Sequence, residues 1–195
     1  MDTDRRRFFA LLMALPLIGF FSAVRRQSPK TLQPTPPCDD HDEPTPPMEE
    51  GPFFSPRSPE RSSLLDQQMA GTVIVISGRV LNTNCKPVAN VLLDWWQADD
   101  KGEYDNKGYR LRGHQYTDKQ GNFQLETLVP GLYPGRTRHF HVKVQAPNQR
   151  VLTTQLFFPY EPHNQQDRIF DPALVMGVER KGDKQLAKYT FVVKA

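Results

Sequence analysis

From residue 72 to residue 193 the chain runs in short apolar or alternating segments separated by turn residues. Residues 72–81 are β-branched and apolar, residues 91–98 place Val91, Leu93 and Trp95 on one face, and residues 122–128 alternate through Phe123, Leu125 and Thr127. Three more runs follow at 139–146, 151–158 and 189–193. A period of two marks a strand with one buried face. Turns are signalled at 84–87, 100–102, 118–121 and Pro130-Gly131 by Gly, Pro, Asn and Asp. One helical turn is expected between residues 171 and 178. Short strands at this spacing, with no helical period between them, predict an all-β domain, an antiparallel β-sandwich.

The run that opens at His139 carries chemistry as well as pattern. Successive strand side chains point to opposite faces, so Phe140, Val142 and Val144 line one side while His139 and His141 project together from the other. Two imidazoles are thereby offered to one point. Upstream, Tyr133 lies in a Gly/Pro turn that can fold its phenol over the same face, and Arg136 adds a fixed positive charge. A metal site with an anion-binding neighbour is one reading. Exposed polar alternation on a half-solvated sheet is the other, and further ligands must decide between them.

The N-terminal quarter changes the picture. Arg5-Arg6-Arg7-Phe8-Phe9 precedes an apolar run over residues 8–24, the layout of an export signal, and the paired arginines resemble a twin-arginine signal. Asp4 stands where such a signal usually has Ser or Thr, and Phe21 is large for a cleavage site ending at Ala23, which leaves an uncleaved membrane anchor over residues 8–24 open. From Gln27 to Arg61 the chain holds ten of its 18 prolines, so an extended spacer follows. The expected organisation is a signal or anchor over 1–26, a Pro-rich linker over 27–49 and a sandwich domain over 50–195. Phe53 and Phe54 are expected to pack on that domain, because paired aromatics have no use in a solvated tether.

Composition, 37% hydrophobic and 24% charged with a mean hydropathy of −0.61, suits a globular core with polar extensions. The formal charge of +3 divides unevenly: the first thirty residues carry +4 and the remainder −1. No basic stripe is left for nucleic acid. The two cysteines, Cys38 in the spacer and Cys85 in a turn, suggest a disulfide tying the arm to the first hairpin in an oxidising compartment, with two free thiols as the alternative.

Tyr104 follows the strand ending Trp96-Gln97-Ala98-Asp99 and the turn at Gly102, where side chains are often aimed into a site at the end of a sandwich. With Tyr133, His139 and His141 it makes a set of two phenols and two imidazoles. That set resembles the intradiol ring-cleavage dioxygenases, the family of the catechol and protocatechuate enzymes. The resemblance extends from Glu50 to about Val193 through Glu50-Gly51-Pro52-Phe53-Phe54, Gly78-Arg79-Val80, Thr117-Asp118, Pro130-Gly131-Leu132-Tyr133-Pro134, His139-Phe140-His141 and Thr153-Thr154-Gln155-Leu156-Phe157-Phe158. It implies one Fe3+ per chain held by Tyr104, Tyr133, His139 and His141, a catechol substrate bound as a dianion, and O2 as co-substrate. It further implies that Tyr133 leaves the metal on substrate binding, that Arg136 stabilises charge on the ring and that Gln155 orients the substrate. Arg138 stands where relatives usually have Pro, Leu132 occupies a variable place, and the helical dimerisation region of the catechol enzymes has no counterpart, leaving the oligomer open.

Two tyrosinates suit a ferric ion, since ferrous oxygenases typically use two His and one carboxylate. The competing class is a non-catalytic module of the transthyretin-like or carboxypeptidase-regulatory type, which shares Gly78-Arg79-Val80 and Thr117-Asp118 but has no use for the quartet. Of the remaining candidates, one of Trp95 and Trp96 is assigned to the core and the other to a pocket wall or an interface. His114 is assigned to structure, His41 and His163 to polar loops, and Tyr109 and Tyr116 to the substrate entrance or the sandwich surface.

Overall fold

The computed structural model describes residues 43–67 and 69–195. The expected signal or anchor, His41, Cys38 and most of the linker lie outside the described residues. Among the described residues, eight strands form two four-stranded sheets. The first has the order β4 (Asn122–Leu128), β1 (Val73–Asn82), β8 (Lys184–Val193), β7 (Gly177–Lys181). The second has the order β3 (Arg112–Tyr116), β2 (Leu92–Trp96), β5 (His139–Gln145), β6 (Leu152–Phe157). This is the expected sandwich, with antiparallel pairing throughout except between β1 and β8, which run parallel. Two 3-10 turns, Pro162–Gln165 and Pro172–Leu174, follow β6, and the second falls where one helical turn was expected.

Strand parity builds the core. Ile74, Ile76 and Val80 of β1, Leu125 of β4 and Phe191 of β8 face Leu93, Trp95, Phe140, Val142 and Val144 of the second sheet, all at most 1% exposed. Each such side chain contributes roughly 1.5–3 kcal/mol by leaving water. Trp95 packs near Phe123 and Phe191.

Two strands escape the sequence pattern. β3 reads Arg-Gly-His-Gln-Tyr, with no β-branched residue, and its free edge is held by the preceding arm through Arg61 N–H to the His114 carbonyl and His114 N–H to the Pro59 carbonyl. β7 is an edge strand with four of five residues exposed, so it has no alternation to read.

The described end of the linker is docked. Thr45 N–H donates to the Val192 carbonyl, Met48 N–H to the Thr153 carbonyl and the Thr154 hydroxyl to the Pro46 carbonyl. The arm therefore joins the domain before residue 50. It then crosses the outer face of the second sheet.

Candidate metal centre

Pairing register sets the floor of the site. Arg112, Trp96, His141 and Gln155 stand opposite one another on β3, β2, β5 and β6. Directly paired residues share a face, so the four form one row across the outer side of the second sheet, with His139 one step away. The arm tracks this row from end to end. The Gln155 amide donates to the Glu49 carbonyl at 2.9 Å, and Arg112 Nη1 donates to the Phe53 carbonyl at 2.5 Å. Between these ends, Phe54 meets Trp96 edge-on at 5.0 Å. Gly51 adopts φ +71°, and a Cβ there would lie 3.5 Å from His141 Cε1, so glycine lets the arm pass close above the imidazole.

Two loops bring the phenols. Gly102 (φ +86°) and Gly131 stand where the Tyr104 and Tyr133 loops touch main chain to main chain: a Cβ on Gly102 would come within 2.2 Å of the Leu132 carbonyl oxygen, and one on Gly131 within 2.3 Å of Gly102 N. Gly131 N–H donates to the Asp99 carbonyl at 2.6 Å. Asp105 accepts from the N–H groups of Lys107, Gly108 and Arg110, which draws its carboxyl down to about 2 and fixes the turn beside Tyr104. The Tyr104 and Tyr133 rings end 5.9 Å apart. Phe53 stacks on Tyr104 at 4.4 Å and 16° and meets Tyr133 edge-on at 5.5 Å.

Three of the four expected ligands bring polar atoms into contact, and the Tyr133 ring stands 5.9 Å from that of Tyr104. His139 Nε2 lies 3.1 Å from His141 Nε2 and 3.4 Å from the Tyr104 oxygen. A carbonyl can only accept, so the 2.6 Å contact of His139 Nδ1 with the Thr137 carbonyl places the proton on Nδ1 and leaves Nε2 a bare lone pair aimed into the cluster. Burial lowers His139 to about 4 and His141 well below the ordinary imidazole value, with the Arg136 charge adding to both, so the rings are neutral near pH 7. Burial pushes the Tyr104 phenol up, against the pull of Arg136 and Arg112.

These donors fit a metal ion. Ligands about 2 Å from one ion and roughly a right angle apart lie ~3 Å from each other, which is the spacing of the nitrogens. Among the described residues no three His, Cys, Asp or Glu side chains cluster closely enough to hold a metal, so the phenols are needed to complete a set. His141 is further braced by Trp96, stacked on it at 4.8 Å and 10°.

Arg136 stands beside the quartet. Its Nε donates to Asp167 at 2.8 Å and its Nη2 to Gln155 Oε1 at 2.6 Å. Asp167 also accepts from the N–H groups of Thr137 and Ile169. Burial favours its protonated form, but these bonds and the guanidinium outweigh it and hold the carboxyl below its ordinary value. Both ends of the Gln155 amide are engaged, the oxygen by Arg136 and the nitrogen by the Glu49 carbonyl. Arg138 pairs with Glu161 at 3.0 Å and donates to the Pro130 carbonyl, stitching two loops at the rim. A cavity of about 350 Å³ opens there, lined by Tyr133, Arg136, His163, Gln166, Asp167 and Leu132. A larger hollow of about 810 Å³ borders the first sheet near Arg79 and Lys188, but holds none of the quartet.

The dioxygenase family profile matches residues 49–194. The chain belongs to the intradiol ring-cleavage dioxygenases. The chain is 30% identical over 168 residues to hydroxyquinol 1,2-dioxygenase of a Rhizobium species, covering 71% of this chain and 56% of that one. It is 31% identical to the protocatechuate 3,4-dioxygenase beta chain of Burkholderia cepacia over 128 residues, covering 56% and 54%. The chain thus spans about half the length of the curated relatives it matches. Among solved structures it resembles the dioxygenase domain of a dioxygenase and carbohydrate-binding protein fusion from the cellulolytic bacterium Streptomyces sp. SirexAA-E. That match has a TM-score of 0.77 and 52% identity over 78% of this chain and 99% of that one. A second resemblance is to 3-chlorocatechol 1,2-dioxygenase of Rhodococcus opacus 1CP, with a TM-score of 0.71 and 28% identity over 76% and 72%.

Trp95 is core and Trp96 lies buried on the outer side of the sheet against Phe54 and His141, and Phe53 and Phe54 pack on the domain as expected. His114 is structural: its Nδ1 lies 3.1 Å from Ser58 Oγ, which donates to Asp94 at 2.7 Å. The Tyr109 hydroxyl holds the arm at the Pro56 carbonyl. Tyr116 is half exposed and lines the larger hollow instead of the entrance. His163 lies in a loop as assigned and lines the cavity, while Arg112, Asp167 and Gln166 were not singled out, since no local spacing marks them.

Proposed function

We propose that this dioxygenase holds one Fe3+ through Tyr104, Tyr133, His139 and His141 and cleaves a catechol between its two hydroxylated carbons. Both atoms of O2 enter a muconate-type diacid, so the ring supplies the electrons and no external reductant is consumed. The observation that carries this reading is the convergence of two neutral imidazoles and two phenols beneath one arm. When bound, the ferric ion would lower the phenol pKa values far enough to make tyrosinate ligands and would activate the chelated ring toward O2.

The side chains divide the remaining work. Tyr104 is covered by Phe53 and fixed, whereas Tyr133 lines the cavity and is the phenol placed to leave and take up a substrate proton. Arg136, aimed by Asp167 and Gln155, offers positive charge where the ring becomes negative. Phe53, Phe54 and Trp96 keep water from the buried face. A non-catalytic binding module would leave this donor set without a use.

The test is direct. Purified protein is expected to carry about one iron per chain and a red-brown phenolate-to-iron band that moves on anaerobic addition of catechol, with a diacid product once O2 is admitted. Colourless protein after reconstitution with iron refutes the reading, as does an unchanged band in Tyr133→Phe.

Action outside the cytoplasm belongs to the same proposal. Its support is the arginine-led apolar run over residues 5–24 and Cys85, which is disulfide-bonded.

A further inference from the structure

Arg112 is 1% exposed, yet the hydrogen bonds of its guanidinium all go to carbonyl oxygens. Nε and Nη2 donate to the Asp105 carbonyl at 3.0 and 2.7 Å, and Nη1 to the Phe53 carbonyl. Burying a cation is costly even with the Asp105 and Asp94 charges nearby to offset part of the loss. A simple core position would not keep one.

The two carbonyls have a common neighbour. One belongs to the residue after Tyr104, and the other to the residue whose ring covers Tyr104 at 4.4 Å. A single planar fork therefore grips both halves of the Phe53 and Tyr104 stack by their main chains. Arg112 is itself fixed, since its own carbonyl accepts from Arg61 Nε at 2.9 Å and Nη2 at 2.6 Å. Leu111 before it adopts φ 54°, an unfavourable turn for leucine that leads from the Tyr104 loop into β3. Arg112 also ends the row that contains His141.

We propose that Arg112 is a positioning residue of the metal centre, locking Tyr104 beneath Phe53 so that this phenol stays in place while Tyr133 moves. The inference rests on the iron reading above for its metal, but not for its geometry. Lysine cannot replace the fork, because one ammonium does not present parallel donors to two carbonyls in a plane.

The experiment compares Arg112→Met and Arg112→Lys with Arg79→Met, whose guanidinium bonds Asn122 on the other sheet. Amide hydrogen exchange is followed over residues 49–56 and 103–108 in iron-free protein, and the phenolate-to-iron band is recorded in loaded protein. Both Arg112 variants should exchange about tenfold to a hundredfold faster in these segments, the range expected for lost bonds to a charged group, and should shift the band. Arg79→Met should change neither. Wild-type exchange in Arg112→Met overturns the inference, and wild-type behaviour of Arg112→Lys overturns the fork. Should Arg112→Met not fold, Phe53→Ala removes the ring and leaves the guanidinium: a shifted band supports the lock and an unmoved band overturns it. Absence of any band in the wild-type protein refutes the iron reading alone, and the exchange data still decide the role of Arg112.

Discussion

The two sheets share a core but differ on their outer faces. The first shows Ser77, Arg79, Gln124, Lys188 and Thr190 around a broad hollow. The second shows His139, His141, Trp96 and Gln155, all at most 4% exposed, because residues 45–60 lie across them. Parity gives each strand two faces, and what covers the second face decides its chemistry. Water over Arg79 and Lys188 leaves ordinary surface charge. A docked arm over His139 and His141 strips their hydration and leaves neutral lone pairs, ready for a cation.

Adjacent residues of β2 allow the sharpest break between core and site. Trp95→Ala should cost about 3–5 kcal/mol in denaturant unfolding, as for large aromatic truncations in a core, while leaving the band of the folded fraction in place. Trp96→Ala should cost less stability but weaken iron retention by roughly 10–100-fold, the range for supports of metal ligands, because His141 loses the ring stacked on it. Iron titration of both variants separates them. Equal effects on iron binding would mean that the two faces are not independent.

Much of this division was legible in the chain. The alternation His139, Phe140, His141, Val142 states which side is core and which is site, since parity is local. Register is not local. The row Arg112, Trp96, His141, Gln155 spans four strands and residues 96 to 155, and nothing in the β3 sequence announces even the strand. Asp167 is likewise one acid in a polar loop until the fold carries it to Arg136. The arm was half legible: Phe53 and Phe54 declared themselves by being aromatic in a proline-rich stretch, while the docking of Thr45 and Met48 rests on backbone bonds that sequence does not show.

The covered face should also make itself felt in acid. In the unfolded chain His139 titrates near the ordinary ~6.5, but in the folded iron-free protein only at about 4. Between these values the unfolded state binds a proton that the folded state refuses. Stability is therefore whole above about pH 6.5 and falls by about 3 kcal/mol as pH drops toward 4, with His141 acting in the same direction. The first sheet contains no histidine in its strands. Urea unfolding of iron-free protein from pH 7.5 to 4.5 should show the slope, and His139→Gln should flatten it. A slope unaltered by that change would place the proton uptake elsewhere.

The smallest expected effect concerns aim. Asp167→Asn keeps the shape but removes the charge that holds Arg136 Nε at 2.8 Å, so the guanidinium remains tied to Gln155 alone. Neither residue belongs to the quartet, and iron content and band position should stay at wild-type values. Turnover should fall roughly 10–100-fold, since a misplaced electrostatic group forfeits part of the ~10²–10³-fold that such donors supply. The loss should appear in kcat more than in KM, because charge on the ring develops only as the reaction proceeds. A variant that loses iron instead would make Asp167 a support of the metal face through Thr137, whose N–H it accepts and whose carbonyl orients His139. The split between kcat and iron content tells whether the acid serves the guanidinium or the imidazole.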